Sequence, residues 1–249
     1  TTATPHLGVS KQTYFPLPRT AEIGLAHTMG ETGRDLFQLN DLLKRMATES
    51  KYISSLKGFR KRIAYANAYG TDFPVPTATA AFLHERSTYP HHHAPSEEDD
   101  CLVLDEKGLV IAKLHTHPVD DDEQKHSSSD DDDDEECMDD LLLMSNSLDS
   151  LGWKKVFVDL RHEIPIGVEL PKSFSSKKEI IEQKLVKRME SKEVASATKH
   201  NGSNRIIYPL GHNMIVAVSR CDKSASFNSG GRPVIDALAK EVVELIFSP

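Results

Sequence analysis

Cysteine is scarce in this 249-residue chain: Cys101, Cys137 and Cys221 are the whole set. The count is odd, the spacings are long and no CxxC occurs. This excludes a disulfide framework or a zinc knuckle and fits a reducing compartment. No run of 18 apolar residues exists, so no transmembrane helix is expected. The first residues, Thr1-Thr2-Ala3-Thr4-Pro5-His6, include no initiator Met, no basic stretch and no apolar core of a signal peptide, so the chain reads as processed or as part of a longer one. Excess positive charge is missing as well. There are 30 basic against 38 acidic residues, a net charge of −8, and seven of the acids form the unbroken run Asp130 to Glu136. Without that run the chain is near neutral, which argues against a duplex-binding protein. At 38% hydrophobic and 27% charged, the composition is that of a globular chain.

Leu36, Leu39, Leu43 and Met46 recur at three- and four-residue spacing and predict one amphipathic helix. The apolar run Ile63 to Tyr69, closed by Gly70, predicts a buried strand, and Pro74 and Pro76 turn the chain after it. Residues 101–104 and 109–112 flank Asp105-Glu106-Lys107-Gly108 and predict a hairpin. Residues 120–147, rich in Asp, Glu and Ser, bury too little apolar surface to order and read as a surface loop. Order resumes at Trp153, with a strand through Val156-Phe157-Val158-Asp159-Leu160, apolar at nearly every position as a doubly covered strand should be. A helix is expected from Lys178 to Glu190, then a short apolar run Ile215 to Val218. A last helix starts at Pro233 and buries Ile235, Leu238, Ala239, Val242, Val243 and Ile246. Helices alternating with buried strands predict an α/β fold with a parallel sheet.

Three constellations bear chemistry. Asp72 stands just past the carboxyl end of the first predicted strand, the edge where open α/β sheets hold ligands, although an aspartate in that place also serves to tie a turn. His212, in Pro209-Leu210-Gly211-His212-Asn213-Met214, sits in a predicted loop after the later strand. Acid before base is the order of an α/β-hydrolase triad. The nucleophile's Gly-x-Ser-x-Gly is absent, and Ser10 in Gly8-Val9-Ser10-Lys11 lacks the strand-to-helix setting of an elbow. Leu114-His115-Thr116-His117-Pro118 could present two imidazoles on one strand face to a metal. It resembles the His-x-His-Pro of JAMM-type zinc peptidases, but Lys125 stands where their serine belongs. His91-His92-His93 reads as a solvated loop.

Several strings together carry a resemblance. Ala3-Thr4-Pro5-His6-Leu7-Gly8, Thr32-Gly33-Arg34-Asp35-Leu36-Phe37, Phe59 to Asn67 and Asp72-Phe73-Pro74-Val75-Pro76 resemble the serine esterase (DUF676) family of ROG-type, lipase-like α/β-hydrolases. Gly211 to Val216 and Gly230 to Ile235 are similar to that family's closing His motif and last helix. The resemblance covers residues 1–90 and 150–249. It implies the C-terminal part of an α/β-hydrolase fold, a mostly parallel sheet flanked by helices, with an acidic disordered insertion. Residues 1–90 and 151–249 would be core segments and 91–150 the insertion.

The family's serine stands in Gly-His-Ser-Leu-Gly, upstream of the segment matched by Thr4 to Gly8. The resemblance therefore implies an ester hydrolase in which His212 takes the proton of that upstream serine and Asp72 orients the imidazole; this chain alone would be inert. It implies no cofactor and no metal. The implied partner is a lipid or other ester substrate, with no nucleic acid, in the cytoplasm or in peripheral contact with a membrane or lipid droplet. Residues 10–58 would form a cap, with Tyr14, Phe15, Leu17 and Ile23 as acyl contacts or ordinary core. Two alternatives stand beside this: a non-catalytic truncated hydrolase fold whose acid run engages a basic partner, and a metal hydrolase centred on His115 and His117.

Overall fold

In the computed structural model, which describes residues 1–10, 18–68, 75–84, 86–93, 109–118, 140–160, 163 and 211–247, the apolar runs at 63–67 and 154–158 pair with each other. The described strands, in chain order, are β1 (Ile63–Asn67), β2 (His92–His93), β3 (Val110–His115) and β4 (Lys154–Val158). They form one sheet in the order β1-β4-β3-β2. β1 and β4 are parallel, Ile63 opposite Lys154 and Asn67 opposite Val158. Thr2 bridges Tyr65 in parallel on the far side of β1, with Tyr65 N–H donating to Thr1 O and Ala3 N–H to Tyr65 O.

The sheet is mixed, not parallel throughout: β3 runs antiparallel to both β4 and β2, with a bulge between Val110 and Ala112. The sequence signal could not show this, because a strand covered on both faces reads as an apolar run whichever way it points.

Helices cover both faces. The described helices are α1 (Arg19–Thr28), α2 (Gly30–Leu36), α3 (Leu42–Thr48), α4 (Ser50–Lys57), α5 (Thr77–Ala80), α6 (Asp140–Asp149), α7 (Gly211–Ile215), α8 (Asp222–Phe227) and α9 (Arg232–Phe247). The period-two alternation of the strands sorts the core. Tyr65, Val156 and Val158 join Met214 and Ile215 of α7 and Val234 of α9. On the opposite face Ala66 and Phe157 meet Ala78 and Ala80 of α5, and Ala64 meets Ala47 of α3 with Met144 and Leu148 of α6. Val156, Phe157 and Val158 are fully buried, each contributing about 1.5 to 3 kcal/mol of apolar transfer.

Several expectations change. The single helix through Leu36 and Met46 is two, α2 and α3, broken where Gln38 takes a left-handed φ of 53°. Leu36 and Leu39 serve a local cluster with Val9, Ala26 and Phe37, and Leu43 serves the sheet core. Residues 140–147 are not loop: Leu141, Met144, Ser145 and Leu148 recur at helical spacing and seat α6 on the sheet. His92 and His93 form a strand in place of a solvated loop. Ile215 ends a helix, and Ala217 (φ 45°) turns the chain after it, so the run to Val218 is no strand. In α9, Val234 and Glu241 are the buried residues, while Ala239, Val242, Val243 and Ile246 are exposed. The first arm of the expected hairpin, the acid run, Lys178 to Glu190, and Tyr14, Phe15 and Leu17 lie outside the described residues. Ile23 is exposed on α1. The supposed cap is partly wall, since Leu43, Ala47, Ile53 and Leu56 of α3 and α4 pack into the sheet core.

Candidate functional site

The carboxyl ends of the parallel pair β1 and β4 are built from both sides. Ala68 N–H donates to Val158 O at 2.8 Å, locking the end of β1 to β4. The chain then passes through residues 69–74 and comes back to the same place, where Thr77 Oγ1 donates to Asn67 O at 2.6 Å. Asp72 belongs to that stretch and lies outside the described residues; both flanks of the stretch are fixed at the rim of β1. Thr79 extends the anchorage by accepting Leu7 N–H at 3.1 Å and donating to Gly8 O. Gly8 has φ 75°, and a Cβ there would lie 2.8 Å from Leu36 O. Only glycine lets the Thr4-Pro5-His6-Leu7-Gly8 loop pass so close to the end of α2.

His212 is described and half-buried, in the first turn of α7 and not in a loop. Two and three residues on, Met214 and Ile215 are fully buried in the cluster that also holds Ala3, Tyr65, Val156, Val158, Leu160 and Val234. This short helix therefore docks on the sheet face that carries Tyr65 and Val158, beside the start of α9, and carries His212 with it. The spacing is enforced from behind by the 3-10 turn Ser229–Gly231, where a Cβ on Gly231 would fall 1.6 Å from Met214 O. Gly231→Ala should consequently cost about 1 to 3 kcal/mol by overpacking, with α7 displaced. A melting curve checks the cost, and unchanged stability would mean that α7 is not braced in this way.

Ser10 is no nucleophile in this arrangement. Buried, it donates to Glu22 Oε2 at 2.9 Å and accepts from Arg19 Nη1 at 2.7 Å, while Arg19 also reaches Glu22 and Phe37 O. The hydroxyl staples the first loop to α1.

The strongest electrostatics lie on the opposite sheet face, where sequence reading placed only apolar side chains. Lys155 and Asp149 are fully buried and paired at 2.6 Å. The Lys155 ammonium also sits 4.1 Å from the centre of the Phe82 ring. Burial pulls its pKa down to about 8 from the usual 10.5, against the opposing pull of Asp149. His91 completes the cluster. Its Nδ1 lies 2.9 Å from Tyr89 O, so Nδ1 carries the proton and Nε2 accepts from Lys155 Nζ at 2.9 Å. His6 is buried edge-on against Phe82 at 5.4 Å and against Trp153 at 6.0 Å. Burial, aided by the chain's terminal ammonium and by Lys155, lowers its pKa to about 4. It is a neutral packing group between the two rings. The one hint of this cluster in the sequence was Lys155 itself, a cation in an apolar strand.

His115 closes β3 opposite Lys154 and His92, and the His117 ring lies 5.0 Å from the His92 ring. Among the described residues no group of three or more His, Cys, Asp or Glu is arranged to hold a metal ion. No described helix is long and apolar enough to cross a membrane.

The comparison with family models decides how the first loop and β1 are read. Residues 1–82 match the family model described as Putative serine esterase (DUF676). The match takes in a third of the chain, including the Thr4 to Gly8 loop, α1 to α4, β1 and the position of Asp72. It supports a hydrolase at the family level and stops short of His212. No curated protein and no solved structure matches the chain.

Proposed function

We propose that this chain supplies the acid and the base of a serine ester hydrolase, Asp72 and His212, to a nucleophilic serine on polypeptide upstream of Thr1. The observation that supports the reading is that both segments are tied to the β1–β4 pair. The flanks of the Asp72 segment are pinned to the end of β1, and α7, which carries His212, shares one buried cluster with Tyr65, Val158 and Leu160. The esterase family match over residues 1–82 supports the reaction class.

In this mechanism His212 accepts the serine proton as the hydroxyl attacks the ester carbonyl, then returns it to the leaving alkoxide. The Asp72 carboxylate holds the imidazole tautomer and steadies the imidazolium. Water repeats the sequence on the acyl-enzyme and releases the carboxylic acid. A lipid ester suits the lipase-like resemblance.

The test is active-site labelling of the complete polypeptide with a fluorophosphonate. One serine upstream of Thr1 should be labelled, and both His212→Ala and Asp72→Asn should slow labelling by orders of magnitude. Labelling at undiminished rate in those variants, or none in the wild type, would defeat the proposal.

A further inference from the structure

A cleft of about 510 Å3 opens at the other end of the sheet, among the amino ends of β1 and β4 and the carboxyl end of β3. Its size is ordinary for a small-molecule site. Its charge is not ordinary for this chain. Four permanent cations, Arg60, Lys61, Arg62 and Lys154, line it with two carboxylates, Glu241 and Glu244, in a chain of net charge −8. Both carboxylates have partners: Glu241 pairs with Lys154 at 3.1 Å and accepts from Tyr65 OH at 3.3 Å, and Glu244 pairs with Lys240 at 3.9 Å.

The cationic wall is held in shape. Arg62 donates to Gly152 O at 3.0 Å, Leu56 O at 3.1 Å and Phe59 O at 2.8 Å. These bonds fix the turn that connects α4 to β1, and Arg60 and Lys61 stand exposed on it. Ile63, Trp153, Pro118 and Leu245 supply apolar wall, and His115 and His117 further ring nitrogens.

We propose that this cleft binds a phosphate monoester with a small aromatic or apolar body. A guanidinium beside an ammonium suits a dianion with several acceptor oxygens better than a carboxylate, and the apolar wall would take the body. The site lies at the amino ends of β1 and β4, away from the Ala68 and Thr77 anchors at the carboxyl end of β1, and is independent of the esterase reading.

The chain contains a single tryptophan, Trp153, and it lines the cleft, so its emission reports occupancy. The full chain would be titrated with phenyl phosphate, with inorganic phosphate and with phenol, by fluorescence and by calorimetry. Phenyl phosphate should bind one per chain, more tightly than inorganic phosphate, and phenol should not compete. The exposed pair Arg60→Glu/Lys61→Glu should weaken binding by about tenfold or more without lowering the melting temperature, and Glu244→Gln should tighten it several-fold as an opposing charge is removed. Should the double variant fail to fold, the Glu244→Gln direction and the loss of binding at high salt decide the matter. Phenol binding as well as phenyl phosphate, or affinity indifferent to all these changes, would overturn the proposal.

Discussion

In the complete polypeptide, His212→Ala should lower kcat for a simple carboxylic ester by on the order of 10^4 to 10^6 while leaving KM nearly unchanged. That is about 5 to 8 kcal/mol of transition-state stabilisation at 1.36 kcal/mol per decade. The side chain is half-buried, and the helix is held by its neighbours Met214 and Ile215, so the melting temperature should barely move. Asp72→Asn should cost about 10^4, because an amide no longer fixes the imidazole tautomer. A drop in kcat with both folds intact is the expected pattern. Full activity in His212→Ala would show that the proton is handled elsewhere.

Asp149→Ala should have the largest effect on stability. Asp149 is the last residue of α6, where a carboxylate opposes the helix dipole, and it is held there by the ammonium of Lys155 in a site closed to water. Removing it leaves a buried cation without its counter-ion, at a cost of about 3 to 5 kcal/mol at neutral pH. Lys155→Met strands the carboxylate instead and should cost a comparable amount. The double replacement Asp149→Leu/Lys155→Met should cost less than either, since the two desolvation penalties leave together.

The pH dependence follows from the same burial. The folded pKa of Lys155, about 8, lies below the unfolded 10.5. Between these values the unfolded chain holds more protons, so stability gains from Lys155 as pH rises through that window and loses as pH falls back through 8. The deficit of Asp149→Ala relative to wild type should therefore be smaller at pH 10 than at pH 7. Denaturant titrations at the two pH values check this; a deficit independent of pH would mean that Lys155 is not the group left unsatisfied.

The two parallel strands and the last helix were legible because each is a local pattern: an apolar run, or a Pro start with helical spacing. Pairing was not. Nothing in Val110 to His115 says that this strand will lie antiparallel between β4 and β2, because direction depends on connections. α6 was hidden by composition, its acid-rich approach making residues 140–147 look like more of the same loop. In α9 the hydrophobic spacing was read as burial, yet the inner stripe through Val234 and Glu241 faces the sheet and Val242, Val243 and Ile246 do not. Periodicity identifies a helix, but the neighbours decide how much of it is covered. At the candidate site, the order of the proposed acid and base, Asp72 before His212, could be read from the sequence. The devices that hold the rim, Thr77, Thr79 and the close approach of Gly231, could not, because each acts on a backbone distant in sequence.

The pairing of β1 with β4 has a consequence for biosynthesis. Lys154 follows Ile63 by about 90 residues, so at 5 to 20 residues per second a nascent β1 waits roughly 5 to 18 seconds for its partner to be made. Throughout that interval the ribosome presents an apolar strand with one edge unsatisfied. Chaperone demand during translation should accordingly track the rate at which codons 68 to 158 are decoded, and slow codons in that stretch should reduce yield more than slow codons after it.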